Sequence, residues 1–200
     1  MMKRILLLFL ILGLSTAEIG WTDGYEADLT AGNTSVQGGF HYKRDLANGF
    51  WKAGASGLYT DDDDTEYKWL ELDFTVGTDT LQPGLSCEVG LKGIVGDAEY
   101  SRFSGDVGAL AFAGQVGYVF PTRQIPIPIE VFGGLAYAPE IMSFRDTEDY
   151  LAYYLGFGVR IVDNASIILK YSSYDVDMEA GPGGWNLDDE AVRVGLVMRF

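Results

Sequence analysis

Cysteine is almost missing from this chain. Cys87 stands alone, so no disulfide can form within it. Histidine is as scarce, and His41 is the one imidazole available for acid–base chemistry. Positive charge is in deficit: 14 Lys and Arg stand against 29 Asp and Glu, a formal net charge of −15, and such a surface repels nucleic acid. No apolar run approaches the roughly 20 residues that a helix needs to cross a bilayer. No Pro- or Ser-rich linker divides the chain, and its length fits one domain. Proline is limited to 6 residues, and helical spacing of apolar residues is hard to find. Glycine, by contrast, reaches 26 residues and aromatics 14%, which favours an all-β chain.

The first residues read MMKRILLLFLILGLSTA. Lys3 and Arg4 precede the apolar run Ile5 to Leu14, and the small residues Ser15 and Ala17 lead to a cut that leaves Glu18 as the new start. That is the layout of a secretory signal peptide. Residues 1–17 are therefore set aside, and 18–200 are expected to form the folded domain. With no cysteine after the leader, a lipoprotein anchor is not expected.

Period-2 alternation fills the remainder. In Leu85–Val95, odd positions carry Leu85, Cys87, Val89, Leu91 and Val95, and even positions carry Ser86, Glu88 and Lys92. A strand points these sets to opposite faces. The same split recurs around Leu72, Phe112, Val131, Leu155, Leu169 and Leu196, and more briefly at Tyr25–Ala31 and Val36–Tyr42. Phe50–Thr60 is β-like, with two faces that are hard to tell apart. About ten strands result, most of a length that crosses a bilayer when tilted. A soluble sandwich also alternates, but here the non-apolar face is unusual: it is rich in Gly and Ala, and its charges balance. Glu71, Asp73, Glu88 and Glu130 lie on earlier strands, and Lys92, Arg160, Lys170, Arg193 and Arg199 mostly on later ones. Small residues with matching charges suit a narrow barrel interior. The expected fold is an antiparallel transmembrane β-barrel, with these ionised residues in the lumen and the apolar ladder on lipid. At this size the interior is expected to be mostly filled by side chains.

The connections are expected to alternate in kind. Val176–Asp189, Pro139–Glu148, Gly96–Gly105 and Asp61–Thr65 read as long acidic loops. Val162–Asn164, Pro121–Pro128, Thr78–Gly84 and Lys43–Gly49 read as shorter turns, as on the periplasmic side of outer-membrane barrels. The link Gly32–Thr34 is short where a long loop was due; it reads as a tight hairpin with Gly32 and Asn33 left-handed.

Isolated motifs carry less. Asp61–Asp64 lacks the spacing of a calcium loop and reads as a solvated tip, though acidic loops could hold divalent cations against lipopolysaccharide phosphates. His41 lies near the periplasmic end of its strand, and no serine can be placed beside it, so a hydrogen-bonded interior histidine is expected. Trp21, Trp69 and most tyrosines read as an interfacial aromatic girdle, while Trp185 in GPGGWN reads as a loop anchor worth testing for binding. Cys87 faces lipid in this register and reads as a small hydrophobe. No cofactor is expected.

The chain ends on RVGLVMRF, whose Arg193, Gly195, Met198 and Phe200 resemble the C-terminal signal read by the barrel-assembly machinery. From about Ile127 the sequence also resembles the YfaZ-type outer-membrane proteins. The resemblance rests on Tyr137-Ala138-Pro139, Ser143, Asp146, Tyr150, the Gly158-x-Arg160 pair and Tyr171. It implies an outer-membrane barrel and supplies no catalytic residues. The resulting expectation is a small non-enzymatic barrel in contact with outer-membrane lipids and lipopolysaccharide, structural or binding through acidic external loops. A narrow channel or transporter is the alternative, and a lipid-modifying enzyme or protease a second.

Overall fold

The computed structural model describes residues 23–62, 65–101, 103–121, 127–180 and 183–200. The expected signal segment and Trp21 lie outside them. Ten antiparallel strands follow in chain order: β1 Asp23–Ala31, β2 Ser35–Leu46, β3 Gly49–Asp62, β4 Thr65–Thr78, β5 Leu85–Tyr100, β6 Phe103–Val119, β7 Ile129–Ala138, β8 Thr147–Val162, β9 Ala165–Met178 and β10 Trp185–Arg199. Each pairs with its sequence neighbours, and β1 pairs with β10 to close the barrel. Tyr25 and Phe200 exchange both backbone bonds at that seam, at 2.9 and 2.8 Å, so no open edge is left there.

The lipid-facing ladder lies outside as expected. Leu72, Leu91 and Leu155 are 56, 42 and 64% exposed, and Val192, Val194 and Leu196 share that face. Outside, toward the rim that carries both chain ends (the terminal rim), Tyr25, Tyr42, Trp51 and Phe74 form a run of rings at centroid spacings of 5.3, 5.2 and 6.0 Å. This is an aromatic girdle. Trp69 and several tyrosines do not belong to it, as shown below.

All strands but β1 and β7 are longer than the roughly 9–11 residues a bilayer crossing needs, and the reason is a reversal of amphipathicity. On β5 the outward residues Val89, Leu91 and Val95 give way to Asp97 and Glu99. The inward residues change in the opposite sense, from Glu88 and Lys92 to the buried Ile94 and Ala98. β4, β9 and β10 reverse in the same way: Leu70 is followed outward by Lys68 and Glu66, Tyr171 by Asp175 and Asp177, Val192 by Glu190 and Asp188. The lower band meets lipid outside; the upper band meets water outside and packs a dry core inside.

This reversal corrects the expected loop pattern. Most of Gly96–Gly105 and Val176–Asp189 is paired strand, leaving only 101–102 and 179–184 between elements. At the terminal rim, 120–128 is longer than any link at the opposite, distal rim. The acidic residues there sit largely on strands, not loops. The hairpin at Gly32–Thr34 is tight, with Gly32 N–H donating to Ser35 O at 2.8 Å, but neither Gly32 nor Asn33 is left-handed. Gly32 is needed instead for close approach, because a Cβ there would stand 2.7 Å from Val192 O.

β7 is short, and its pairing with β6 stops at Phe112↔Tyr137. The segment Pro139–Asp146, which includes the 3-10 turn Glu140–Met142, takes over the exposed edge of β6. Ser143 bridges Ala109, Phe144 N–H donates to Gly108 O at 2.9 Å, and the Asp146 carboxylate accepts from Asp106 N–H at 2.9 Å. Ser143 and Asp146 therefore complete the wall where a strand is missing.

Candidate functional site

The lumen is divided into two halves by residue type. The distal half is filled by buried side chains among the described residues. Tyr67 and Trp69 stack at 4.4 Å, and Tyr174 and Tyr150 meet Trp69 edge-on at 5.3 and 6.3 Å. Ile94, Val107, Val176, Met178 and Leu187 fill the space around them. The Tyr67 hydroxyl donates to Asp189 Oδ2 at 2.6 Å. Trp69, expected in the girdle, is thus part of the core. Trp185 is not a free loop anchor either: it starts β10 and stacks on Tyr100 at 6.3 Å.

The terminal half is hollow. A cavity of about 930 Å³ opens at the terminal rim and reaches up to Ser172 and Tyr174. An interior mostly filled with side chains holds only for the distal half. Eight of the nine ionised residues expected in the lumen, Glu71, Asp73, Glu88, Lys92, Glu130, Arg160, Lys170 and Arg199, line this cavity. Arg193 is wholly buried and lies behind the wall.

The register shows how these groups meet. Lys92 stands opposite Asp73 but reaches diagonally to Glu71 at 2.7 Å, and Ser56 donates to the same Oε2 at 3.0 Å. Asp73 is left to His41, whose Nε2 lies 3.1 Å from its Oδ1. His41, Gly54 and Asp73 are consecutive partners across β2, β3 and β4. Only a glycine between them permits this contact, since a Cβ at Gly54 would come within 2.1 Å of the imidazole. Glu88 pairs with Lys52 at 2.8 Å and accepts from Thr75 at 3.0 Å. Glu130 meets Arg199 at 3.5 Å and Arg160 at 4.0 Å, and Arg199 also holds Glu26 at 2.8 Å. Gly158 lies directly under Glu130, where a Cβ would stand 2.7 Å from the carboxylate. The Gly158-x-Arg160 pair is therefore the seat of Glu130.

Two cations differ from the rest. Lys170 donates to the neutral Gln37 Oε1 and lies 5.5 Å above the Tyr154 ring. Arg193 donates to Ser35 Oγ at 2.8 Å and to Ser172 Oγ, with its Cζ 5.9 Å from the Tyr174 ring centre. Neither has a carboxylate within 4.0 Å among the described residues. Sequence reasoning left Lys52 out of the lumen set. Lys52 escaped because Phe50–Thr60 has small residues on both faces; its alternation with the buried Ser56, Leu58 and Thr60 was the available signal.

The chamber can do three things chemically. It can bind a charged solute, exchange protons through the His41–Asp73 pair, whose Nδ1 side faces Asp28 at 4.0 Å, or support a conducting path if the distal core moves. Among the described residues no group of His, Cys, Asp and Glu is placed to hold a metal ion. Asp61 accepts a bond from Tyr59 at 3.3 Å on the exposed end of β3; Asp63 and Asp64 lie outside the described residues. Cys87 shares the outward face with Val89 and Leu91.

Residues 5–200 match the family described as outer membrane protein beta-barrel domain. No curated protein matches the chain in sequence. Among solved structures it is similar to OmpT of Vibrio cholerae, at 12% identity and a TM-score of 0.41, over 83% of this chain and 56% of that one. It is similar to the NanC porin at 10% identity and a TM-score of 0.43, over 88% and 99% of the two chains. The translocator domain of the autotransporter NalP from Neisseria meningitidis is similar at 14% identity and a TM-score of 0.34, over 100% and 95%. The chain thus spans little more than half the length of OmpT. Likenesses this distant carry no functional argument in either direction, so nothing supports the expectation of a non-enzymatic chain, and it is withdrawn. The family match and the closed barrel give an outer-membrane location.

Proposed function

The chain belongs to the outer membrane protein β-barrel domain family, and from that premise we propose that it is a solute-binding barrel with a blind chamber open toward the periplasm. One observation carries this reading: the charged cavity of about 930 Å³ ends at Tyr174, which packs on Trp69 and, through it, Tyr150 in the buried distal core. A cavity of that size, lined by a few convergent charges and aromatic rings, is the kind that takes a small molecule. The terminal rim faces the periplasm in this reading, as expected for a chain exported behind a leader at 1–17. Arg193, Gly195, Met198 and Phe200 serve the assembly machinery during insertion. The YfaZ-type placement is the finer family assignment we favour. The acidic collar on the distal strands faces lipopolysaccharide, and divalent cations between them are part of the same proposal.

Thiol accessibility tests the blind chamber. On a Cys87→Ala background, Gln115→Cys in the chamber is expected to react with a water-soluble maleimide, and Ala111→Cys in the distal core far more slowly. The refolded wild-type protein is expected to stay silent in planar bilayers. Equal labelling at the two positions, or steady open steps from the wild type, would overturn the reading. The second reading is a gated narrow channel. It is favoured by the continuous run of charges from the terminal rim to the middle of the barrel, and it requires the aromatic wall to move.

A further inference from the structure

We propose that Lys170 and Arg193 make the inner end of the chamber an anion-recognition site. It takes a small organic acid whose carboxylate meets Lys170 and whose apolar body lies on Phe132 and Tyr154. The proposal rests on the reading of the chamber as a solute site and names its ligand class.

Charge matching sets Lys170 apart. Every other basic side chain that lines the cavity has a carboxylate within 4.0 Å: Lys43 has Asp45, Lys52 has Glu88, Lys92 has Glu71, and Arg160 and Arg199 share Glu130. Lys170 has only an amide oxygen and a ring face. A buried ammonium with neutral partners keeps much of its desolvation cost, and a carboxylate beside it relieves that cost through a charge-assisted bond. Arg193 stands directly opposite Lys170 in the β9–β10 register. It is wholly buried, its Nη2 has no hydrogen-bond partner, and its other bonds go to hydroxyls. Ser172 and Tyr174, both in contact with its guanidinium, are wall residues of the cavity. Two positive charges therefore back one end of the chamber with no carboxylate within 4.0 Å of either among the described residues. The acids nearest Lys170, Asp28 and Glu71, act on it only from beyond ion-pair distance: Glu71 is held by Lys92 and Ser56, and Asp28 lies between Lys170 and His41, 4.0 Å from the imidazole.

The same end has an apolar shelf. Phe132 and Tyr154 line the cavity with ring centres 6.3 Å apart. Both lie flat against the wall because they cover glycines: a Cβ at Gly134 would stand 2.6 Å from the Tyr154 ring, and one at Gly156 would stand 2.2 Å from the Phe132 ring. Gly156 is also the direct β8 partner of Lys170 and Phe132, which places shelf and ammonium side by side. An inorganic ion would leave that shelf unused; a compact organic acid covers it.

Calorimetric titration of the refolded, detergent-solubilised protein with benzoate, benzamide and benzylamine tests this. Benzoate is expected to bind at one site, and the neutral and cationic analogues at least about tenfold more weakly. Lys170→Gln is expected to lose at least about tenfold in benzoate affinity, while Lys68→Gln, on the outer distal face, keeps it. Gln37→Glu offers Lys170 an internal carboxylate and is expected to abolish benzoate binding. It carries the test if the Lys170 variant fails to show heat-modifiable gel mobility. Benzamide or benzylamine binding as tightly as benzoate would overturn the anion assignment and leave the chamber reading standing. Absence of benzoate binding would also overturn it, and the Gln115 and Ala111 cysteine labelling then decides whether the chamber reading falls too.

Discussion

The two halves of this barrel use the same strands in opposite senses. In the terminal half, Val76, Phe74 and Leu72 point out to lipid while Thr75, Asp73 and Glu71 point in. Nearer the distal rim of β4, beyond the outward Leu70, Lys68 and Glu66 point out to water while Trp69 and Tyr67 pack inside. The change in solvent outside explains both. Lipid outside makes an apolar exterior favourable and leaves polar groups to neutralise one another in the lumen. Water outside restores the ordinary arrangement, with apolar side chains buried. The upper band is thus a small water-soluble barrel built on a membrane barrel. It closes the lumen, and the lower band keeps the cavity.

The largest expected effect that tests this contrast comes from the closed half. Trp69→Ala removes the centre of the distal core and is expected to cost about 3–5 kcal/mol in urea unfolding. Combined with Tyr150→Ala, it is expected to give conducting steps in bilayers where the wild type gives none. In the hollow half, Lys92→Met leaves the buried Glu71 without its ion-pair partner and is expected to cost about 3 kcal/mol. The double variant Lys92→Met/Glu71→Gln recovers most of that loss, and a double-mutant cycle reads the coupling. On the outside, Leu72→Arg places a charge in the lipid band and is expected to cost about 2–4 kcal/mol. The smallest effect comes from the same substitution on the other side of the boundary: Glu99→Arg faces water and is expected to leave unfolding unchanged. If Leu72→Arg and Glu99→Arg cost the same, the boundary between the two halves is wrongly placed.

Strand identity in the lower band was readable residue by residue, because lipid imposes a strong apolar signal at every second position. The upper band reads as loop in the sequence for the same reason. At Asp97, Asp175 and Asp188 the outward signal disappears, and only the weaker inward signal of Ala98, Val176 and Leu187 remains. The residues of the lumen were legible as a set, but their partners were not. Glu71 and Lys92 could have been matched from their neighbouring strands. Nothing local indicated that Asp73 would go to His41 across Gly54, or that Arg199 and Arg160 would share Glu130. The hollow was not legible either, since cavity volume depends on how rings such as Phe132 and Tyr154 lie across strands.

By itself the sequence determined the alternating strands, the lipid-facing ladder and the inward set of charges, because side-chain direction along a strand is a local property of period 2. Only the tertiary structure decided which charges cancel, which two remain uncompensated, and where the lumen closes. Those outcomes depend on the stagger of neighbouring strands around the barrel, which brings together residues far apart in the chain.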